Sequence, residues 1–284
     1  MRYDCSRAAS FYDEYGEREW TRFADGRTSP ISLAVHLHYL RRFVRTGDRV
    51  LDAGAGPGRF TLELARLGAD VVVADVSPVQ LELNRAKLEE ARLAERVIDW
   101  LQADILDLSA LPDDNFDAVV CYGGPLSYVL DRADEALDEL LRVTKPGGHL
   151  LLSVMSLVGA TVGGLAVGVD LARQHGLGAV RSVIETGNLP SAMIGGHLEM
   201  HLYRWGELEA MLRRHRCSIV AASASSLADR FGRLHRDFLS TLTDEELREI
   251  TEWEIDLAAD PGAVSAGEHI IAVVQKDRPD RPAQ

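Results

Sequence analysis

The chain has 284 residues, 46% of them hydrophobic and 26% charged, an ordinary globular composition that allows one large α/β domain or a core with an embedded cap. Its 31 Lys and Arg against 44 Asp and Glu leave a net charge of −13, which opposes the phosphate neutralisation that nucleic-acid binding requires, so no nucleic-acid partner is expected. No apolar run reaches the ~20 residues of a membrane span, no signal-peptide pattern is present, and Cys5, Cys121 and Cys217 form no C-x-x-C pair, so a cytoplasmic protein with no membrane partner, disulfide framework or metal is expected.

The first 45 residues are predicted to be helical, with Phe11, Tyr12, Tyr15 and Trp20 in a stretch from Ala8 to Trp20, and Leu33, Leu37, Leu40 and Val44 at helical spacing from Ile31 to Val44. Ser29-Pro30 supplies a cap and a first-turn proline for the second of these. From Arg49 short apolar runs alternate with helical stretches. Strands are predicted at Arg49 to Ala53, Val71 to Ala74, Val97 to Ala103, Phe116 to Tyr122 and Gly148 to Met155. Helices are predicted at Arg59 to Leu67, Pro78 to about Leu93 and Ala133 to Val143. Continuous β-branched runs between helices indicate a parallel sheet covered on both faces.

After Met155 the alternation stops. Ser156 to about Glu199 is glycine-rich and is predicted to be irregular, with one helical stretch around Asp170 to His175. A helix from Arg204 to His215, a strand from Cys217 to Ala222, a helical segment from Ser226 to Ala259 and a strand from His269 to Lys276 follow. Asp277 onward reads as a disordered polar tail. The organisation expected is a helical lid at 1–45, a core at 46–155, a cap at 156–203, the remainder of the core at 204–276 with a helical excursion at 226–260, and a tail at 277–284.

The informative motif is Val50-Leu51-Asp52-Ala53-Gly54-Ala55-Gly56-Pro57-Gly58, where the first strand gives way to its helix. Glycines let backbone approach a ligand closely, and in open α/β sheets ligands bind at this end of the strands. The spacing is G-x-G-x-G, with Arg59 at the third glycine position of the dinucleotide pattern G-x-G-x-x-G, so a pyrophosphate loop fits poorly. Asp75 ends the second strand, where a carboxylate can accept from both ribose hydroxyls. Asp104 follows the third strand at the same edge.

Taken in order, Asp52 to Gly58, Asp75, Asp104, the strand Phe116 to Val120 and the turn Lys145-Pro146-Gly147-Gly148 resemble the motifs of class I methyltransferases that use S-adenosylmethionine (SAM). The resemblance covers roughly residues 45 to 155. It implies an α/β, Rossmann-like fold: a seven-stranded, mostly parallel sheet flanked by helices, with N-terminal lid helices, an insert after the fifth strand, and His269 to Lys276 inserted antiparallel beside that strand. It implies SAM as cofactor and S-adenosylhomocysteine as product. Gly54, Gly56 and Gly58 would hold its methionyl and ribose parts, and Asp52 would orient the turn or meet the amino group. Asp75 would bind the ribose hydroxyls, with Val76 beside it; Asp104 would accept from the adenine amino group, with Ile105 on the ring. Tyr122 would lie by the transferable methyl, and Tyr12 and Trp20 would belong to an aromatic lid.

The fourth strand ends Cys121-Tyr122-Gly123-Gly124-Pro125, without the [N/D]-P-P-[Y/F] signature of base and amide N-methylation, which with the acidic charge favours a small-molecule acceptor. Glu185, His197, His201, Tyr203 and His235 fall in the segments expected to wall its pocket, with Leu189, Met193 and Ile194 as apolar lining, and His201 is the candidate general base. His197 and His201 lack H-E-x-x-H order, so they are not read as a metal pair. Two other classes share the glycine turn: a regulatory protein that binds SAM or a nucleotide without turnover, and an oxidoreductase using NAD(P). The sequence leaves the oligomeric state open.

Overall fold

Residues 1–21, 30–227 and 241–278 are described by the computed structural model. Strands β1 (Arg49–Ala53), β2 (Asp70–Asp75), β3 (Val97–Gln102), β4 (Phe116–Cys121) and β5 (Thr144–Met155) pair in parallel. Two more strands of this sheet, β8 (Cys217–Ser225) and β9 (His269–Lys276), complete the order β3-β2-β1-β4-β5-β9-β8, with β9 antiparallel to both neighbours. This is the seven-stranded, mostly parallel Rossmann-like sheet that the motifs implied. Chain order reverses between β1 and β4, so the crevice for a ligand opens above the carboxyl ends of these strands.

Alternation along each strand divides the core into two layers. Leu51, Val119, Leu150 and Leu152 face helices α7 (Ala133–Val143) and α11 (Trp205–Arg214). Val50, Val73, Val120 and Leu151 face α3 (Pro30–Phe43), α4 (Arg59–Arg66) and α5 (Pro78–Glu90). Full burial of each such side chain contributes on the order of 1.5–3 kcal/mol. The segment expected to form a lid is therefore divided: α3 covers the sheet through Val35, Tyr39 and Leu40, while α1 (Cys5–Tyr15) and α2 (Arg18–Thr21) lie over the crevice. Asp4 starts α1 by accepting from the backbone N–H of Ser6 and Arg7, and Gly16 at φ +53° ends it, so the predicted single helix from Ala8 to Trp20 is two.

The largest difference lies after β5. Residues expected to be irregular form α8 (Leu157–Gly163), α9 (Leu165–His175) and α10 (Leu177–Thr186). The reason is where the glycines fall: Gly164, Gly176 and Gly187 cap helix ends. Two-residue strands β6 (Asn188–Leu189) and β7 (Met200–His201) then pair with each other, and Leu157, Val183, Met193, Met200 and Leu202 form a separate small core. Helix α12 (Asp244–Ala258) is opened by a capping box between Thr243 and Glu246 and packs on α3 and β8. The rest of the predicted 226–260 helical excursion, with His235, lies partly outside the described residues, as do Ser29 and tail residues 279–284. Asp277, expected to begin the disordered tail, still donates its backbone N–H to the Arg216 carbonyl at 3.0 Å.

Candidate active site

The turn after β1 is built from the strand outward. Gly54 and Ala55 both donate their N–H to the Ala74 carbonyl of β2, at 2.8 and 3.1 Å, which folds the chain back over the sheet edge. Gly54 has φ +69°, and a Cβ there would collide with the Pro125 ring. Gly58 has φ +95°, and a Cβ there would come within 3.1 Å of the Asn84 side chain. A Cβ on Gly56 would come no nearer than 3.9 Å to any atom outside its chain neighbours, and Gly56 lines the crevice.

Asp75 closes β2 at the floor of the site and is 7% exposed. Its Oδ2 accepts from Gly56 N–H at 2.8 Å and its Oδ1 from Ser77 N–H at 2.9 Å. Burial pushes its carboxyl up to about 6, against the opposing pull of those N–H groups and with a further upward push from Asp13. Each oxygen keeps a lone pair for a ligand hydroxyl. Asp52 lies one layer behind. Burial raises its carboxyl to about 7, although the Thr61 hydroxyl donates to it at 2.6 Å. Asn84 donates to Thr61 at 2.9 Å and accepts from the Trp100 indole at 3.1 Å. Asp52 thus braces the turn from beneath and does not line the crevice.

Asp104, just past β3, lines the opposite end with Ile105. It accepts from the Leu106 N–H at 3.0 Å and from the Tyr3 hydroxyl at 2.8 Å. Tyr122, past β4, also lines the crevice; its ring meets His36 at 4.8 Å and Phe60 at 5.1 Å. Its buried hydroxyl has no hydrogen-bond partner among the described residues. Val76, Tyr12 and Trp20 complete the expected lining, and the Arg59 guanidinium sits 3.9 Å over the Trp20 ring. The crevice, counted with its open mouth, encloses about 920 Å³, within the range of small-molecule sites.

Helix α1 is fastened on both sides. Gln80 donates to the carbonyls of Tyr12 and Gly16, Ser77 donates to Asp13, and Arg7 pairs with Glu199 of the insert at 2.8 Å. Phe11 and His197 meet edge-on at 4.6 Å.

His201 is not brought to the crevice. Its Nδ1 lies 2.9 Å from Asn188 Oδ1 and its Nε2 2.7 Å from Glu207 Oε1, so the ring ties β7 to β6 and α11. Burial works to raise the Glu207 carboxyl, but the contact with His201 holds it below its ordinary value. Along this strand Met200 and Leu202 enter the small core, while the His201 imidazole packs edge-on against the Tyr203 ring at 4.6 Å. Leu189, Met193 and Ile194 join that core instead of lining an open pocket, and Tyr203 belongs to the main core. Sequence reasoning missed Tyr3, Phe60 and Tyr128 at the crevice, and read Arg59 only as an obstacle to dinucleotide binding. No group of three or more His, Cys, Asp or Glu that could hold a metal occurs among the described residues.

The crevice thus brings together a glycine turn, a buried acid ending β2 and a second acid after β3, on a sheet with β9 reversed. Residues 50–148 match the methyltransferase domain family. The demethylmenaquinone methyltransferase of Clavibacter sepedonicus is 41% identical over 110 residues, 39% of this chain and 42% of that protein. The chain thus spans about two-fifths of the length of the curated relatives it matches. Among solved structures, the [4+2]-cyclase SpnF superposes with a TM-score of 0.62 over 98% of both chains at 19% identity. A SAM-dependent methyltransferase from Mesorhizobium loti superposes with a TM-score of 0.56 at 18% identity, over 87% of this chain and all of its own. At these identities the superpositions establish the fold. No helix among the described residues is long and apolar enough to cross a membrane.

Proposed function

We propose that this protein transfers a methyl group from SAM to a small-molecule acceptor. The observation that carries this reading is the Asp75 carboxylate, held by two backbone N–H groups at the crevice floor with lone pairs left for a ribose diol. SAM, when bound, supplies a methyl carbon already activated by its sulfonium. The chain's part is to hold and align. Gly54 and Gly56 bring backbone against the ligand, Asp75 accepts from the ribose hydroxyls, Asp104 and Ile105 receive the adenine, and Tyr12 and Trp20 exclude water from above. Alignment alone supplies as much as about 7–11 kcal/mol in favourable cases. His201 is too far committed to Asn188 and Glu207 to serve as the base, and this reading assigns none. The relative from Clavibacter sepedonicus is a demethylmenaquinone methyltransferase by name, which supports a small organic acceptor.

The superposition with a cyclase favours keeping a second reading, a SAM-binding protein that does other chemistry or none, because fold does not fix function. Incubation with methyl-labelled SAM and a small-molecule extract separates them. The proposal expects label to move into an extractable acceptor with wild type and not with Asp75→Ala. Tight SAM binding with no labelled product across such extracts favours the second reading.

A further inference from the structure

We propose that Tyr3 is the residue through which this site selects an adenine base, an inference that rests on the SAM reading above. Tyr3 lies ahead of α1 and is separated by 101 positions from Asp104, yet its hydroxyl reaches Asp104 Oδ2 at 2.8 Å. The Leu106 N–H takes Oδ1 at 3.0 Å. These two donors, one on each oxygen, fix the plane of the carboxylate; the Cys5 thiol also hydrogen-bonds it, and a lone pair is left for a ligand group. A ligand group entering there must bring a hydrogen.

Tyr3 keeps its proton on its own side of this contact. Burial, and then the Asp104 charge, raise its phenol above the ordinary value, so the hydroxyl donates to Asp104 and does not ionise. Adenine presents an exocyclic amino group, which donates to the remaining lone pair. Hypoxanthine presents a carbonyl oxygen at that position, which meets a fixed negative charge. The Tyr3 ring also lines the crevice beside Ala103 and Ile105, so the residue that locks the acid also covers the base. The anchoring of α1 by Ser77–Asp13 and Gln80–Tyr12 holds this strap across the site.

Tyr3→Phe keeps the ring and removes the lock. Without the hydroxyl the carboxylate can rotate and admit water, so its preference for a donor weakens. The experiment is calorimetric titration of wild type and Tyr3→Phe with S-adenosylhomocysteine and with its S-inosyl analogue. Wild type should bind the adenosyl ligand at least about tenfold more tightly, the worth of one hydrogen bond to a charged group. Tyr3→Phe should narrow that ratio by roughly fivefold in a protein that still melts cooperatively as a folded chain. A merely structural tyrosine would shift both affinities together and leave the ratio alone. An unchanged ratio overturns the role of Tyr3 while the cofactor reading stands. Failure of wild type to bind either ligand overturns that reading, and the role of Tyr3 with it.

Discussion

Two stretches of this chain are rich in glycine, and the residue does different things in each. At the turn from Gly54 to Gly58, Gly54 and Gly58 have positive φ; the Pro125 ring occupies the place of a Cβ at Gly54, and Asn84 crowds it at Gly58. In the outer helices of the insert, Gly168 and Gly178 meet nothing within 4 Å and lie at ordinary helical φ. The first stretch presents bare backbone at the crevice. The second is helix that tolerates glycine at a cost of about 1 kcal/mol per position relative to alanine. A glycine count alone does not separate them; only what surrounds each Cα does.

Paired substitutions break the comparison if it is wrong. Gly54→Ala should do the most damage, since overpacking costs typically about 1–3 kcal/mol and a left-handed φ adds roughly 1–2 more. A fall in the melting midpoint and loss of S-adenosylhomocysteine binding by calorimetry are expected together. Gly168→Ala should instead stabilise by about 0.4–1 kcal/mol and leave binding untouched. A Gly54→Ala protein with wild-type melting and affinity would remove the steric basis of the distinction.

The same contrast explains what the sequence made legible. Strand, turn and helix from Arg49 to Arg66 follow from local rules, and Asp75 and Asp104 are found by counting from them, because parallel strands bring their carboxyl ends to one edge. Tyr3 has no such signal, since only the folded path of the N-terminus brings it to Asp104. In the insert, glycines that read locally as loop breakers instead end helices: Gly164, Gly176 and Gly187 close three consecutive ones. His201 was singled out by residue type, but a two-residue strand pairing sets where its ring points.

Acidity sharpens the account of the crevice floor. Burial pushes the Asp75 and Asp52 carboxyls up to about 6 and about 7 in the folded protein, above the ~3.9 of an unfolded chain. The folded protein therefore holds more protons between roughly pH 4 and 7, and the stability of the unliganded protein should fall as pH rises through that window. Asp52→Asn should flatten the upper part of this slope in denaturant melts. Affinity for SAM should move the opposite way, rising as pH passes through about 6, because the ionised Asp75 is the better acceptor for ribose hydroxyls. Affinity that is flat from pH 5 to 7 would mean that Asp75 does not meet the ligand.

The central claim is that the acid ending β2 holds a ribose on the glycine turn, and it is tested most directly by titrating S-adenosylhomocysteine into wild type and Asp75→Ala. Binding in the micromolar range or tighter is expected for wild type. Each lost hydrogen bond to a charged acceptor is worth about 1.5–3 kcal/mol, so the variant should bind at least about tenfold more weakly while melting as a folded protein. Equal affinity in a folded Asp75→Ala protein would contradict the account.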